Sequence, residues 1–171
     1  YALARSAFLM GGDVTLISGP TSLNKPYGVK TIDIITAKQM HDEIINRVQD
    51  FDYIIMSAAV GDYRCQNIAQ EKIKKHEDTL TLQLQKNQDI LLEIGQHKKP
   101  HQIICGFAME TQDLIENAKE KLQKKNCDMI VANNLKQDGA GFGGNTNIVT
   151  LITKDDEVQL EKMTKDEVAE K

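Results

Sequence analysis

The feature that most constrains the fold of this chain is a repeated alternation of apolar, strand-like runs with amphipathic helical segments. Five runs rich in apolar residues are predicted as strands: DVTLIS (13–18), VKTIDIIT (29–36), DYIIMSAAV (52–60), HQIICGFA (101–108) and CDMIVANN (127–134). Several of them are separated by segments of about a dozen residues with apolar side chains at helical spacing. Helices of this length between strands predict right-handed crossovers and a parallel sheet between helix layers. The predicted fold class is therefore a three-layer, Rossmann-like α/β domain with a mostly parallel sheet.

Two further patterns refine this fold. The run at 52–60 is continuously apolar and bounded by charges, which predicts a central parallel strand covered on both faces. After it, KIKK (72–75) and TLTLQLQ (79–85) flank the polar turn HED, and the second piece alternates strictly between Leu and polar residues. Such alternation predicts a protruding β-hairpin with one buried face. A second hairpin is predicted where IVTLIT (148–153) and EVQLEKM (157–163) pair around KDDE.

Length and charge bound the class of protein. The 171 residues, 40% of them hydrophobic and 27% charged, predict a single domain spanning 1–171. Its opening helix, ALARSAFLM, has no capping residue before Tyr1, which predicts that an N-terminal strand and loop are missing. A net charge of −4 with dispersed lysines argues against nucleic acid as a partner, and no apolar run suggests a membrane span. Three scattered cysteines fit neither a disulfide framework nor a metal site, so a cytoplasmic setting is expected.

The loops beyond the carboxyl ends of the strands are where chemistry is expected, because ligands bind at this edge of an open parallel sheet. After the strand at 52–60, small residues lead to Asp62. The Asp62 carboxylate could accept hydrogen bonds from a nucleoside amine or a ribose hydroxyl, or it could simply cap a turn. Phe107 follows Gly106 at the end of another strand, where it either stacks on a base or plugs the core.

Two groups of lysines are candidates for binding phosphate. Lys72, Lys74 and Lys75 cluster on the predicted hairpin, although lysines there can also protect a sheet edge from pairing. Lys121 and Lys125 lie one turn apart on a predicted helix. They either form a solvated face or grip a polyphosphate, each as a point charge.

Standard nucleotide-binding fingerprints do not occur in the sequence. There is no G-x-G-x-x-G between a strand and a helix and no G-x-x-x-x-G-K-[ST]. The glycine-rich loop GAGFGGNTN (139–147) has no helix after it and is weak evidence by itself. The four histidines show no metal-ligand spacing, so the metal ligands are unknown.

Several longer stretches together carry a resemblance to a known family. They are GGDVTLISGPTSL, SAAVGDYR, EKIKK, LQKNQDIL, GFAMET, MIVANN and GFGGNTNIVTLI. In order and spacing they resemble the synthetase domain of bacterial phosphopantothenoylcysteine synthetase, also called phosphopantothenate–cysteine ligase. That domain is often the C-terminal half of a bifunctional coenzyme A biosynthesis protein whose other half is a flavin-dependent decarboxylase.

The resemblance implies an activity, its cofactors and its partners. The carboxylate of 4′-phosphopantothenate attacks the α-phosphorus of CTP, giving an acyl-cytidylate and pyrophosphate, and the amine of L-cysteine then displaces CMP. Mg²⁺ accompanies CTP, and FMN is expected only if a decarboxylase domain is fused upstream. The family also suggests a homodimer in which the hairpin pairs across the interface.

The resemblance also implies a set of site residues. These are Met56, Ala58, Asp62, Lys72, Gln85, Lys86, Asn87, Gln88, Phe107, Lys121 and Lys125. By it, Lys72 is catalytic and reaches the reacting phosphate from a mobile hairpin, Asp62 helps to read the nucleoside, and the helical lysines hold phosphates. Gln88 departs from a proline that is common at this position in the family.

One segment of the family pattern is missing from this chain. A glycine-rich segment with a catalytic asparagine, roughly SNxSSGKMG, precedes the position of Tyr1 in the family, so the 171 residues alone are expected to be inactive. Two alternatives therefore stay open, a nucleotide-binding module without activity and an NAD(P)-dependent oxidoreductase of Rossmann type. The second suits the fold but lacks the glycine fingerprint.

Overall fold

The computed structural model describes residues 1–74, 79–110, 113–134 and 144–171. The helices are α1 (Ala2–Leu9), α2 (Ala37–Ile45), α3 (Ile90–Gln96), α4 (Leu114–Lys124) and α5 (Lys165–Glu170), with a 3-10 turn at Val48–Asp50. The strands are β1 (Thr15–Ser18), β2 (Lys30–Asp33), β3 (Tyr53–Met56), β4 (Tyr63–Cys65), β5 (Leu84–Lys86), β6 (Ile103–Glu110), β7 (Met129–Asn134), β8 (Thr146–Asn147), β9 (Thr150–Thr153), β10 (Glu157–Gln159) and β11 (Met163–Thr164). No helix in these ranges is long and apolar enough to cross a membrane.

The centre of the molecule is a five-stranded sheet in the order β10-β9-β7-β6-β3. β3, β6 and β7 run parallel, whereas β9 and β10 are antiparallel and form the predicted second hairpin. β1 and β2 form a separate parallel pair. This architecture confirms the predicted Rossmann-like α/β class with its protruding hairpin.

The prediction that the strand at 52–60 is central and covered on both faces is wrong. β3 ends at Met56, lies at the edge of the five-stranded sheet and pairs with β6 alone among the described strands. Ile54 is buried, but Tyr53 and Ile55 on the other face are 69% and 45% exposed. An apolar run reports a preference for burial, whereas the neighbours of a strand are set by packing between distant segments. A groove separates β3 from β1.

The core lies on one face of the sheet, under α2, α3 and α4. Its first cluster joins α2 and α3 to β3 and β6 and includes Met40, Ile44, Ile94 and Ile104. Its second cluster packs α4 against β6, β7 and β9. Burial of these side chains is the main favourable term for the fold.

Local hydrogen bonds define where the helices begin. The Thr36 side chain accepts from the Gln39 amide in a capping box at the start of α2, and Asp89 accepts from the Leu92 amide at the start of α3. Thr164 caps α5 in the same way as Thr36 caps α2, as its position at the start of TKDEVAEK predicts.

The first hairpin forms but has no buried face among the described residues. Its paired part is short and joins β4 to β5. The predicted first arm, KIKK, is wrong, because residues 72–74 are not in a strand, and neither are Thr79–Gln83. Leu80, Leu82 and Leu84 are 66%, 60% and 59% exposed, so the predicted burial of one face is wrong. Alternation creates an apolar face, but burial requires a second surface to cover it. The tip, 75–78, and residues 135–143 of the glycine-rich region lie outside the described residues.

Candidate functional site

A cavity of about 270 Å³ opens at the carboxyl ends of β3 and β6, where the topology of a parallel sheet favours a site. It is lined by Met56, Ala58, Val60, Gly61, Asp62, Lys86, Asn87, Gln88, Asp89, Ile90, Leu91, Phe107, Lys121 and Lys125. These residues come from the loop after β3, the end of β5, the start of α3, β6 and the last turn of α4. Segments far apart in sequence therefore build one cleft.

Nine of the eleven predicted site residues line this cavity, and two do not. Gln85 lies on β5 and is exposed. Lys72 is also exposed, in an irregular stretch between β4 and the undescribed hairpin tip. The structure thus brings together nine of the expected nucleotide-binding residues and leaves Gln85 and the expected catalytic Lys72 outside the cleft.

The loop after β3 is held in place by the asparagine that follows β5. The backbone amide of Asn87 donates to the Asp62 carbonyl at 2.7 Å, and its side-chain Nδ2 donates to the Gly61 carbonyl at 2.7 Å. Arg64 Nη1 in turn donates to Asn87 Oδ1 at 2.7 Å. Asn87 therefore braces the cleft with its own side chain. Sequence reasoning missed Arg64, because its role depends on the pairing of β4 with β5, which brings it beside Asn87.

Two glycines let the elements around the cavity approach closely. A Cβ on Gly95 would lie 1.9 Å from the Lys125 carbonyl oxygen, so α3 can pack against the end of α4 only without a side chain there. A Cβ on Gly106 would lie 2.9 Å from side-chain atoms of both Ile130 and Leu91. The Gly95 contact holds the end of α4, with its lysines, against α3, and the Gly106 contact packs β6 against α3 and β7.

The two helical lysines have different partners. Lys121 Nζ donates to the Phe107 carbonyl at 2.6 Å, and no other described residue accepts from it, so its other N–H groups can donate to a ligand. Lys125 forms an ion pair with Asp89. Asp89 was not among the predicted site residues, although an aspartate directly before an apolar helical run signals an N-cap.

The neighbours of the Asp89 carboxyl change its pKa. Partial burial acts to raise its pKa, but the hydrogen bonds from Lys125 and from the Leu92 amide outweigh burial, so the pKa lies below its usual value. Asp89 is therefore ionised at neutral pH.

The cavity is chemically suited to an anionic ligand that also carries a planar ring. Three ammonium groups (Lys86, Lys121, Lys125) and two carboxylates (Asp62, Asp89) line it, together with small and apolar residues. Clustered cations are the usual means of binding phosphates, and the apolar part can accept a planar ring. Within the described residues, no group of three or more His, Cys, Asp or Glu side chains could hold a metal ion.

The fold and the cleft define this chain as a Rossmann-like α/β domain with a charged site at the carboxyl edge of its parallel strands. Over residues 1–171 the chain matches the family described as DNA/pantothenate metabolism flavoprotein C-terminal domain, and it belongs to that family. This agrees with the resemblance seen in the sequence.

Individual relatives and a solved structure support the same placement. The chain is 45% identical over 156 residues to the coenzyme A biosynthesis bifunctional protein CoaBC of Bacillus subtilis, covering 91% of this chain and 38% of the relative. It is 41% identical over 171 residues to the CoaBC protein of Vibrio cholerae, covering 99% of this chain and 43% of the relative. A crystal structure of the C-terminal domain of a CoaBC protein superposes with a TM-score of 0.82 at 37% identity, covering 99% of this chain and 75% of that one. The chain therefore spans less than half the length of these two curated relatives.

Proposed function

We propose that this chain is the synthetase domain of a phosphopantothenate–cysteine ligase, which acts in coenzyme A biosynthesis in the cytoplasm. The observation that carries the proposal is the convergence of nine residues, named from the family resemblance, on one cavity of the fold. The family membership and the coenzyme A biosynthesis relatives support the same pathway. The substrates are 4′-phosphopantothenate, CTP and L-cysteine.

The cavity suggests a division of labour between its two sides. The Asp62 carboxylate and the backbone around Met56 and Ala58 face the nucleoside, with Phe107 at the base. Lys121 and Lys125 bind phosphate groups of the triphosphate. Attack of the phosphopantothenate carboxylate on the α-phosphorus forms the acyl-cytidylate and expels pyrophosphate, and placed cations stabilise the charge that develops on both.

Lys72 is proposed to act on the reacting phosphate from the segment after β4. It lies outside the cavity lining, so this role requires the segment to close over the nucleotide. Closure of a loop over bound substrate is a common way to complete such a site.

Mg²⁺ is proposed to enter with CTP. Mg²⁺ is usually held by substrate phosphates, waters and one or two carboxylates, and Asp62 is the carboxylate of the cavity that would help to hold it. The residues therefore fit a metal carried by the nucleotide, which would neutralise phosphate charge. FMN belongs to this protein only if a decarboxylase domain is fused upstream.

The groove between β1 and β3 is proposed to receive a strand that would precede Tyr1 in a longer form of this protein, one that extends beyond Tyr1 as the curated relatives do. This form is called the longer protein below. The groove is lined by residues of both strands and by α2. Tyr1 Oη lies 2.9 Å from Ser18 Oγ, so α1 begins beside the carboxyl end of β1. A strand in the groove, parallel to β1 and β3, would end at this same edge and lead into α1, as a right-handed strand–helix–strand unit requires.

A homodimer formed through the first hairpin is also proposed. Leu80, Leu82 and Leu84 expose an apolar row, and such a row normally marks a contact surface. Leu82→Lys should convert the dimer to a monomer, as read by light scattering coupled to size-exclusion chromatography. A wild-type monomer at micromolar concentration would contradict this assembly.

The test of the activity is pyrophosphate release by the longer protein from CTP and 4′-phosphopantothenate. Lys72→Gln should slow release by roughly 100-fold, because it removes a cation from the charge that develops at phosphorus. Lys162→Gln, a change at an exposed lysine outside the cavity, is the matched control and should keep the wild-type rate. Normal release by Lys72→Gln would remove Lys72 from catalysis.

A binding experiment separates the ligase from the alternatives. CTP with Mg²⁺ should raise the thermal unfolding midpoint, and NADH should not. Asp62→Asn should weaken CTP binding more than it slows turnover, because its proposed role is to read the nucleoside. Stabilisation by NADH without CTP would favour an oxidoreductase, and CTP binding without pyrophosphate release by the longer protein would favour a module without activity.

A further inference from the structure

The basic side of the cavity contains an acid that the proposed chemistry does not use. Asp89 forms an ion pair with Lys125, whose side chain is only 13% exposed, whereas the Asp89 side chain is 41% exposed. Asp89 Oδ1 accepts the Leu92 amide at 3.0 Å, and its Oδ2 faces the lysine. The cap therefore fixes a carboxylate oxygen at the place where Lys125 would meet an anionic ligand.

We propose that Asp89 is an internal competitor of phosphate for Lys125. In the nucleotide-free protein the carboxylate neutralises the ammonium group, and a phosphate of the bound nucleotide must displace it. This inference rests on the proposed function, because it concerns the regulation of affinity at the same cavity. Asp89 would thus limit the affinity for phosphate groups and favour the release of pyrophosphate.

Lys121 offers an internal contrast. Its protein partner is the neutral Phe107 carbonyl, so a phosphate can bind to it without displacing a charge. Of the two helical lysines, Lys125 alone has a carboxylate partner among the described residues, and its free energy of phosphate binding therefore includes the loss of an ion pair. The closeness of a fixed negative charge adds repulsion of the phosphate itself.

The test is to remove the charge of Asp89 without removing the helix cap. Asp89→Asn keeps the cap, because Asn and Asp are equally good at this position, and Asp89→Ser is a second variant that also caps. By titration calorimetry, pyrophosphate and CTP should bind Asp89→Asn about threefold to tenfold more tightly. The affinity for cytidine, which has no phosphate, should not change. Within a Lys125→Gln background the gain should largely disappear.

Asp33→Asn is the matched control. It removes the same charge from an exposed ion pair with Lys25, outside the cavity, and should leave all three affinities unchanged. Equal or weaker pyrophosphate binding in Asp89→Asn and Asp89→Ser would overturn the inference. A full gain in the Lys125→Gln background would also overturn it.

Failure of the proposed function gives a different result. If the Asp89 variants gain pyrophosphate affinity but the site does not prefer CTP over other nucleotides, the competition stands and the cytidylate chemistry falls. If wild-type protein and both variants fail to bind pyrophosphate, the competition is wrong.

Discussion

At the scale of single residues, the three cysteines show how burial controls reactivity. Cys65 is exposed, whereas Cys105 and Cys127 are partly buried in the sheet and beside α4. Burial raises the pKa of Cys105 to about 12 and that of Cys127 to about 11. Neither thiol is a nucleophile at neutral pH, because the thiolate is the reactive form.

These pKa values predict selective modification. At pH 8, a thiol-specific disulfide reagent should react rapidly with one thiol per chain, Cys65, and slowly with the other two. Unfolding in urea should make all three react at similar rates, since their environments become equal. Rapid reaction of the folded Cys65→Ser variant with the reagent would show that burial does not protect the thiols of Cys105 and Cys127.

At the scale of elements, the contact between α3 and α4 depends on Gly95. Ala normally stabilises a helix relative to Gly by up to about 1 kcal/mol, but a Cβ on Gly95 would collide with the Lys125 carbonyl. Gly95→Ala should therefore lower the free energy of unfolding by about 1–3 kcal/mol, the usual range for overpacking. Denaturant unfolding measures this. Gly19→Ala, where the nearest atom lies 4.0 Å away, should be close to neutral.

The same substitution should affect the site, because the clash moves the end of α4 away from α3. CTP binding should weaken in Gly95→Ala even where the protein is fully folded. Unchanged stability together with unchanged affinity would show that the two helices adjust without cost.

A second link between elements makes stability depend on pH. His41 on α2 lies 2.9 Å from Glu93 Oε2 on α3 and 3.1 Å from Asp42 Oδ1. Burial acts to lower the pKa of His41, but the bonds to Glu93 and Asp42 outweigh burial and raise it. The protonated form is thus favoured in the folded protein, and its stabilisation is fully present below the unfolded pKa of about 6.5.

That stabilisation should be lost as the pH rises through the raised pKa of the folded state. Urea unfolding between pH 5.5 and 8.5 should show wild-type stability falling relative to His41→Gln. Glu93→Gln should reduce the pH dependence, because it removes the charge that favours protonated His41. Parallel curves for wild type and His41→Gln would contradict this assignment.

At the scale of the whole molecule, the groove between β1 and β3 can be tested by hydrogen exchange. The Asp52 carbonyl accepts the Ile103 amide and therefore points to β6. Successive residues of a strand direct their backbone groups to opposite sides, so Ile54 also faces β6 and Ile55 faces away from it. The Ser18 carbonyl accepts the Ile34 amide and therefore points to β2, so the backbone groups of the neighbouring residue Ile17 point away from β2. Both amides therefore face the groove.

We expect the amides of Ile17 and Ile55 to exchange rapidly in this chain and to be protected in the longer protein. Ile54, which faces β6, should be protected in both and serves as the internal control. Equal exchange of the Ile55 amide in the two proteins would show that no strand enters the groove.

Much of this molecule follows from local sequence patterns. The periodicity of apolar residues predicts the alternating strands and helices, and Thr164 at the start of TKDEVAEK predicts the capping of α5. The carboxyl-edge rule directs attention to Asp62, in the loop after β3, and to Phe107, which lies within β6. These inferences succeed because they rest on properties that a short segment has on its own.

Other properties depend on which distant segments meet. An apolar strand can be central or lie at an edge, and β3 lies at an edge because β6 pairs with it on one side only among the described strands. The leucines at 80–84 make an apolar row, but no described partner covers them. Asp89 could be foreseen as a cap but not as the partner of Lys125, since Gly95 lets two helices approach across a gap of some thirty positions in the sequence. The periodicity of the sequence shows which side chains of a segment can be buried and which groups can form hydrogen bonds. Only the packing of distant segments in three dimensions decides which atoms these groups contact.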